Sequence, residues 1–366
     1  MRLHFKGLMG AALFTVLSAG AVAPEKQHSN PKPNPRQHAS PFGEIQVTKL
    51  IVMPDSAGHT DWVDAINSAK SSVHMTMYHL TDTAVVDAVI SKAKDKKFDL
   101  KILVDSKLSG GFKTVFSQMQ SAGVQIRAAS PGFSLTHSKD MVVDGKIAFI
   151  SAINMTNTAA NTRDFGIITP DQSIIAEIES VFAADWENAQ TKGTTTPTLS
   201  NPNLAWSPTN SDARLVALID SAQSTLVAET ESFDDTDIIN ALNRAADRKV
   251  NVRLIVPECN LGSGLFNYPY LAQLKNVNVH VEHDGNSVQQ PYMHSKMMLI
   301  DDHVIYIGSI NYTVNSIQND RELGAIFTNS EISKLLSVEF ETDWNRSQMP
   351  AAKPNCSSSS SFAPKY

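Results

Sequence analysis

Two stretches of this chain carry the same reactive side chains at the same spacing. The first runs from His137 to Asn154 and the second from His294 to Asn311, at a constant offset of 157 residues. In each stretch a Lys follows the His after two positions, an Asp follows the Lys after five, and an Asn follows the Asp after ten. A repeat of this length indicates two related halves, each supplying one imidazole, one ammonium and one carboxamide.

The residues between each His and Asn predict a β-hairpin. Residues 138–143 end in an apolar run and residues 147–150 form another, so both segments are predicted strands. His137 and Lys139 are two positions apart and therefore share one face of the first strand. The Asp-Gly pair at residues 144–145 is typical of a two-residue turn. The second copy repeats this pattern with His294, Lys296, Asp301, Asp302 and Asn311.

This set of side chains suits chemistry at a phosphoryl group. Ammonium groups and amide donors hold anionic oxygens, and an imidazole attacks phosphorus or shuttles a proton. The chain has neither an HExxH motif nor a Cys/His cluster, so we expect no metal and no other cofactor. The candidate catalysts are His137 and His294, and the candidate phosphate ligands are Lys139, Lys296, Asn154 and Asn311.

With these motifs the sequence resembles the phospholipase D superfamily, whose mark is two copies of H-x-K-x4-D-x6-G-(G/S)-x-N. The second copy fits in full, through Gly308 and Ser309, whereas the first has Ser151 and Ala152 at the corresponding positions. The segments that follow the motifs, RDFGIIT and RELGAIF, also correspond to each other. The resemblance extends over roughly residues 45–346.

The resemblance implies that the halves pack face to face and that both motifs meet at one site. One His attacks phosphorus and forms a phosphohistidine, while the other protonates the leaving alcohol and then activates water or an acceptor alcohol. By the usual order in related enzymes, His137 is the expected nucleophile and His294 the general acid and base. Asp164 and Glu322, 27–28 positions after each His, are expected to orient the imidazoles. Ser309 is expected to contact the phosphate or to position His294.

Other acidic residues receive a structural interpretation or none. Asp144 and Asp301 lie at the predicted turns and are interpreted as residues that fix the hairpins. Glu229 and Glu231 share one face of a predicted strand, but nothing in the second motif requires them. They therefore stay outside the predicted site.

The sequence predicts an exported protein built from two halves. Arg2 and Lys6, an apolar run at residues 7–16 and small residues up to Ala21 are typical of a secretory signal peptide, with an uncleaved membrane anchor as the alternative. The protein is therefore expected to be secreted or periplasmic. The predicted segments are a signal peptide (1–21), a flexible Pro-rich segment (22–44), the first half (45–191), a linker (192–212), the second half (213–348) and a disordered tail (349–366).

Strands alternate with helices in both halves, which predicts an α/β fold. Together with the resemblance, this pattern implies two similar α-β-α sandwich halves, packed with pseudo-two-fold symmetry around an active site at their interface. The two cysteines, Cys259 and Cys356, form either one disulfide or two free thiols. Aromatic residues in the loops 262–270 and 286–292 are predicted to border the site, as a lipid-facing rim or as ordinary loop packing.

The formal net charge of −6 is unlike that of a nonspecific nucleic-acid-binding protein. The leading hypothesis is therefore a secreted phosphodiesterase that hydrolyses phospholipid head groups at a membrane surface and can also transfer them. Three alternatives stay open: a secreted nuclease of the same superfamily, a phosphatidyl transferase of the cardiolipin synthase kind, and a non-catalytic protein that binds lipid or phosphate. No obligate protein partner is predicted.

Overall fold

The computed structural model describes residues 42–55, 57–107, 110–157, 161–260, 264–282, 287–352 and 356. The predicted signal peptide lies outside these residues, as do most of the Pro-rich segment and most of the predicted tail. Within the part of the chain that is described, no helix is long and apolar enough to cross a membrane.

The secondary structure repeats in the two halves. The first half contains β1 (Lys49–Met53), α1 (Thr60–Ser68), β2 (Ser72–Met77), α2 (Thr83–Lys92), β3 (Asp99–Val104), α3 (Gly110–Ser121), β4 (Gln125–Ala128), β5 (Lys139–Val143), β6 (Ile147–Ser151), β7 (Thr162–Thr169) and α4 (Gln172–Thr191). The second half contains β8 (Leu204–Ser207), α5 (Ser211–Asp220), β9 (Thr225–Thr230), α6 (Thr236–Asp247), β10 (Asn251–Pro257), α7 (Tyr268–Leu271), β11 (Asn278–Glu282), β12 (Tyr292–Met293), β13 (Lys296–Ile300), β14 (Val304–Gly308), α8 (Val314–Gln318), β15 (Glu322–Thr328) and α9 (Ser330–Arg346).

Each half is built on one mixed sheet, and the strand order is the same in both. The first sheet runs β1-β7-β6-β5-β2-β3-β4, and the second runs β8-β15-β14-β13-β9-β10-β11. In each sheet the three strands at one end are parallel and linked through helices, whereas the motif hairpin and its neighbours are antiparallel. This arrangement confirms the predicted α/β class and the two similar halves.

Three apolar clusters explain the layering. One lies between the first sheet and the helices α1 to α3, and a second lies between the second sheet and the helices α5 and α6. The third joins the halves: Phe165 and Ile167 of β7 share it with Leu299 of β13 and Phe327 of β15, together with residues of α4 and α9. Burying apolar surface from both sheets in one cluster stabilises their face-to-face contact.

The motif aspartates hold the hairpin turns against the preceding loops. Asp144 has a φ of 54°, and its carboxylate accepts hydrogen bonds from the backbone N–H groups of Lys70, Ser71 and Ser72. Asp301 has a φ of 52° and accepts the equivalent bonds at residues 223–225. Several hydrogen bonds to one carboxylate stabilise its charged form, and they lower the pKa of Asp144 to about 2 against the opposing effect of burial.

Part of the predicted linker at residues 192–212 is a strand. β8 pairs with β15 at the edge of the second sheet, as β1 pairs with β7 in the first. Its residues Leu204 and Trp206 are buried in the cluster that joins the halves. The Thr-, Pro- and Asn-rich residues around this short strand hid its apolar pattern in the sequence.

The structure contains a disulfide between Cys259 and Cys356. This bond decides a question that the sequence left open. It ties residue 356 to the loop that follows β10.

Candidate active site

Two short backbone contacts between the halves fix the motif histidines. β12, immediately before His294, pairs with the start of β7, and the backbone N–H of His294 donates to the carbonyl of Arg163 at 3.2 Å. In the same way, the backbone N–H of His137 donates to the carbonyl of Arg321 at 2.9 Å. Each His is therefore tied to the strand of the other half, next to the carboxylate of that strand.

Each predicted carboxylate orients the imidazole of the other half. Nδ1 of His137 lies 2.8 Å from Oε2 of Glu322, and Nδ1 of His294 lies 2.8 Å from Oδ1 of Asp164. Both carboxylates are completely buried. A carboxylate at Nδ1 fixes the ring orientation and the tautomer, and it leaves Nε2 for chemistry.

Each motif lysine contacts the backbone of the histidine in its own motif. Nζ of Lys139 donates to the carbonyl of His137 at 2.5 Å, and Nζ of Lys296 donates to the carbonyl of His294. Both side chains are about 1% exposed, so their charges lie in a poorly solvated place. Burial lowers the pKa of Lys139 to about 7, although the charge of Glu322 opposes this shift.

Both motif asparagines have a buried side-chain oxygen. Oδ1 of Asn154 and Oδ1 of Asn311 are buried without a hydrogen-bond partner. Asn311 lines the same cleft as His137. Buried carboxamides with unsatisfied atoms are unusual, so these two are candidates for contact with a ligand.

The departure at Ser151 is accommodated within the sheet. In the second half Gly308 faces Gly324, and a Cβ on Gly308 would lie 2.4 Å from Cα of Gly324. In the first half Ser151 faces Gly166, and its hydroxyl donates to the carbonyl of Lys139 at 3.2 Å. Because Gly166 has no side chain, the strand pairing is kept.

Ser309 lies behind Glu322 rather than against His294. It is completely buried, its hydroxyl accepts a hydrogen bond from the backbone N–H of Leu323 at 3.2 Å, and it donates to the Glu322 carboxylate. This position differs from the expectation that Ser309 contacts the phosphate or positions His294. The reason is the alternation of the strand, which directs the side chain towards β15.

The electrostatics of the first motif favour an unprotonated imidazole. Burial, together with the charges of Lys139 and Lys296, lowers the pKa of His137 well below its ordinary value. Burial also raises the pKa of Glu322 to about 7, against the charge of Lys139 and hydrogen bonds from Ser316 and Ser309. A neutral imidazole next to two ammonium groups can act as a nucleophile towards an anionic phosphodiester.

Glu231 and Ser316 were not among the predicted site residues, whereas Tyr292 belongs to a loop that was predicted to border the site. Oε2 of Glu231 lies 3.1 Å from Nζ of Lys296 and 3.5 Å from Nε2 of His294, while the hydroxyl of Tyr292 donates to Oε1 at 3.1 Å. Ser316 donates to Glu322 and accepts from the backbone N–H of Asn311 at 2.9 Å. A strand-by-strand comparison of the halves would have exposed Glu231, because the first half has Tyr78 at that position.

A cleft of about 380 Å³ opens beside His137 and Asn311. Phe266 and Asp320 also line it, which places one of the predicted aromatic loops at the site. None of the described residues that line this cleft is a Lys or an Arg.

The repeated α/β halves and their crossed His–carboxylate pairs define a protein of the phospholipase D superfamily. Within it, the chain belongs to the family described as "Cardiolipin synthase, PLD-like domain", whose profile matches residues 62–186 and 215–344.

Similar proteins include lipid enzymes. The chain is 26% identical over 329 residues to the probable cardiolipin synthase YwiE of Bacillus subtilis. The aligned residues cover 79% of this chain and 64% of that protein. This chain is 22% identical to phospholipase D Z of Dictyostelium discoideum, with coverage of 92% and 98%. The chain thus spans a little less than two thirds of the length of the first of these relatives.

Among solved structures, phosphatidylserine synthase from Haemophilus influenzae superposes with a TM-score of 0.61 at 16% identity. The superposed residues cover 83% of this chain and 87% of the synthase chain. Polyphosphate kinase from Porphyromonas gingivalis has a TM-score of 0.62 at 16% identity, with coverage of 86% and 54%. At such identities the likeness shows the fold alone.

The pKa shifts at this site predict a narrow pH optimum. As pH rises towards about 7, Glu322 loses its proton and can hold His137, so kcat/KM increases. Above about 7, Lys139 loses its charge and binds the phosphodiester less well, so kcat/KM decreases. With a soluble p-nitrophenyl phosphodiester as substrate, we expect a bell-shaped plot of kcat/KM against pH, centred near neutral pH. Its two limbs report the joint titration of Glu322 and Lys139.

The Ser316→Ala variant tests the acidic limb of this profile. Because Ser316 donates to the charged form of Glu322, its removal raises the pKa of that carboxyl and moves the limb to higher pH. A wild-type profile that is flat from about pH 5 to 9 would contradict the assignment of these two groups.

Proposed function

We propose that this protein cleaves phospholipids by the phospholipase D reaction and transfers the phosphatidyl group to water or to an alcohol. One observation carries this proposal. Two crossed His–carboxylate pairs, each with a buried Lys that donates to the carbonyl of its His, lie close enough together for the charges of Lys296 and His294 to act on His137, which lines a cleft between the halves.

The reaction has two steps. Nε2 of His137 attacks phosphorus, the bond to the head-group oxygen breaks, and Nε2 of His294 gives its proton to that oxygen. Water or an acceptor alcohol then gives a proton to His294 and attacks phosphorus, and the electron pair of the P–N bond returns to His137. Throughout, the two lysines and the two motif asparagines hold the non-bridging oxygens, where preplaced charge and donors stabilise the transition state.

The rim of the cleft supports a lipid substrate. Leu265 and Val314 are large apolar residues that are each 40% exposed. Leu265 adjoins Phe266, and Val314 lies between two residues that line the cleft. Exposed apolar side chains around an active site favour contact with a membrane surface.

The same surroundings favour lipids over nucleic acids. A nuclease holds its substrate through contacts of Lys and Arg with successive phosphates. Among the residues that the structure describes, those that line the cleft include neither Lys nor Arg. The whole chain has a formal charge of −6.

A second candidate is phosphatidyl transfer between lipids. It is favoured by the relatives that are named cardiolipin synthases. In that reaction the acceptor is a hydroxyl group of another phospholipid instead of water, and the roles of the two histidines stay the same.

We also propose that the protein acts outside the cytoplasm. The disulfide between Cys259 and Cys356 supports this location, because disulfides persist in oxidising compartments. Sequencing the N-terminus of protein recovered from the periplasm or the medium tests it: a start at Val22 is expected, and an intact Met1 on protein confined to the cytoplasm would overturn it.

The function is tested with liposomes of phosphatidylcholine, phosphatidylethanolamine and phosphatidylglycerol, with ethanol present as an acceptor. We expect release of choline or ethanolamine and formation of phosphatidylethanol, both absent in the His294→Ala variant. Formation of cardiolipin in preference to phosphatidic acid would favour the second candidate. No head-group release, together with cleavage of single-stranded DNA by the same preparation, would reject the lipid assignment.

A further inference from the structure

The two halves differ at one position beside their buried lysines. Glu231 follows β9 and Tyr78 follows β2. The backbone N–H of each donates, at 3.1 Å, to the carbonyl of the serine that follows the motif histidine of its own half. The two residues are therefore equivalent, yet Lys296 has a carboxylate as its neighbour while Lys139 has an aromatic ring 4.9 Å away.

The position of Glu231 is fixed by several contacts. Its backbone carbonyl accepts hydrogen bonds from the side chains of Asn260 and Asn267 at 2.7 and 2.9 Å. Its carboxylate accepts from Tyr292 and Lys296, each at 3.1 Å. The side chain is only 19% exposed, so this is a built feature of the site and not a mobile surface acid.

This difference makes the two imidazoles inequivalent. His294 has Asp164 at Nδ1 and Glu231 at 3.5 Å from Nε2, so a carboxylate lies near each ring nitrogen. His137 has Glu322 at Nδ1, and the neighbour equivalent to Glu231 is the Tyr78 ring, 4.6 Å away. Carboxylates near an imidazole stabilise its protonated form, whereas an uncharged phenol does not.

The charge states agree with this geometry. Burial raises the pKa of Glu231, but the charges of Lys296 and His294 outweigh it and lower that pKa to about 2. Burial raises the pKa of Tyr78, so its phenol stays neutral. At neutral pH the second half therefore has a full negative charge at the place where the first half has none.

We propose that Glu231 is a positioning residue that keeps the transferable proton on Nε2 of His294, which makes His294 the general acid and leaves His137 as the nucleophile. Glu231 itself forms no bond with the substrate and gives up no proton. The inference rests on the proposed function only in that it requires the two-step cleavage of a phosphodiester.

The test compares two leaving groups in the Glu231→Gln variant. Choline leaves phosphatidylcholine as an alkoxide and needs a proton, whereas p-nitrophenol leaves phosphatidyl-p-nitrophenol as a stable anion. We expect kcat on phosphatidylcholine to decrease about 10- to 100-fold, with an unchanged first-turnover burst of p-nitrophenol. KM for phosphatidylcholine is not expected to increase, because the substitution removes an anion near the phosphate.

Glu229→Gln is the matched control. Glu229 lies on β9, two residues before Glu231, and is completely buried, and burial together with the charge of Asp343 raises its pKa well above the ordinary value. Gln resembles such a neutral acid, so both substrates should react as with the wild type. Glu231→Asp keeps the charge and is expected to recover part of the lost kcat.

Two results for the Glu231→Gln variant would overturn the inference. The first is an equal loss of the p-nitrophenol burst and of phosphatidylcholine turnover, which would mean that Glu231 only supports Lys296. The second is no loss of activity on either substrate. If the wild type cleaves no phospholipid, the proposed function fails. Glu231 is then judged by the same comparison on thymidine phosphodiesters with alkyl and p-nitrophenyl leaving groups. Failure of the wild type on both classes overturns both proposals.

Discussion

Glu322→Gln is expected to prevent formation of the phosphohistidine at His137, although the two residues are 185 positions apart. A glutamine amide lacks the charge that holds the Nδ1 proton and permits the wrong tautomer of the ring. Loss of an orienting carboxylate reduces the rate of His-dependent enzymes by about 10²- to 10⁴-fold. The quantity to measure is the burst of p-nitrophenol, with mass spectrometry of the alkali-stable adduct on the peptide that contains His137.

Asp164→Asn should give the opposite phenotype. Asp164 contacts Nδ1 of His294, which in the proposed reaction activates water in the second step. With a p-nitrophenyl ester the first step still proceeds, so the adduct on His137 accumulates and turnover stops. The Asp164→Asn variant is therefore expected to have the same phenotype as the His294→Ala variant.

The crossed pairing makes this prediction easy to refute. An adduct that accumulates in Glu322→Gln and is absent in Asp164→Asn would mean that the two histidines have exchanged roles. Equal loss of adduct in both variants would mean that the carboxylates only support the fold. Glu177→Gln is the control, because this buried carboxylate hydrogen-bonds the backbone N–H groups of Ser200 and Asn201, and no imidazole.

The histidine variants are expected to show the second large effect. His137→Ala should abolish both the burst and turnover, with a loss of about 10⁴-fold or more, because no other described group takes the place of the nucleophile. His294→Ala should keep the burst with a p-nitrophenyl ester and lose turnover, since water then has no base. Rapid quenching followed by peptide mass spectrometry measures both outcomes.

His303→Ala controls for the removal of an imidazole, because His303 is exposed at the turn between β13 and β14. Thermal unfolding of each variant shows whether a loss of activity comes from a loss of fold. A stable adduct on His294 in the wild type would contradict the assignment and would also remove the proposed role of Glu231.

Much of the site could be predicted from the sequence, because its residues lie within one hairpin in each half. His137 and Lys139 share a strand face through the period of two, and the Asp-Gly turn brings the return strand back towards Asn154. These are local relations, set by backbone geometry over fewer than about 20 residues. The same reasoning gave the second motif.

The sequence alone could not show which carboxylate serves which imidazole. Asp164 and His294 are 130 positions apart, and only the packing of β7 against the other half brings them together. The sequence also could not show what Glu231 contacts. Its partner Lys296 lies on β13, and the register of β9 against β13 places the two side chains together.

The sequence by itself showed that this protein has two related halves, and it predicted that each half contributes a His, a Lys and an Asn to one phosphoryl-binding site. Tertiary structure decided how the halves share their carboxylates, which lysine has a carboxylate as its neighbour, and that β8 completes the second sheet. The physical reason is that spacing along a strand fixes the direction of a side chain. Contacts between distant strands depend instead on sheet register and on the apolar packing of one half against the other.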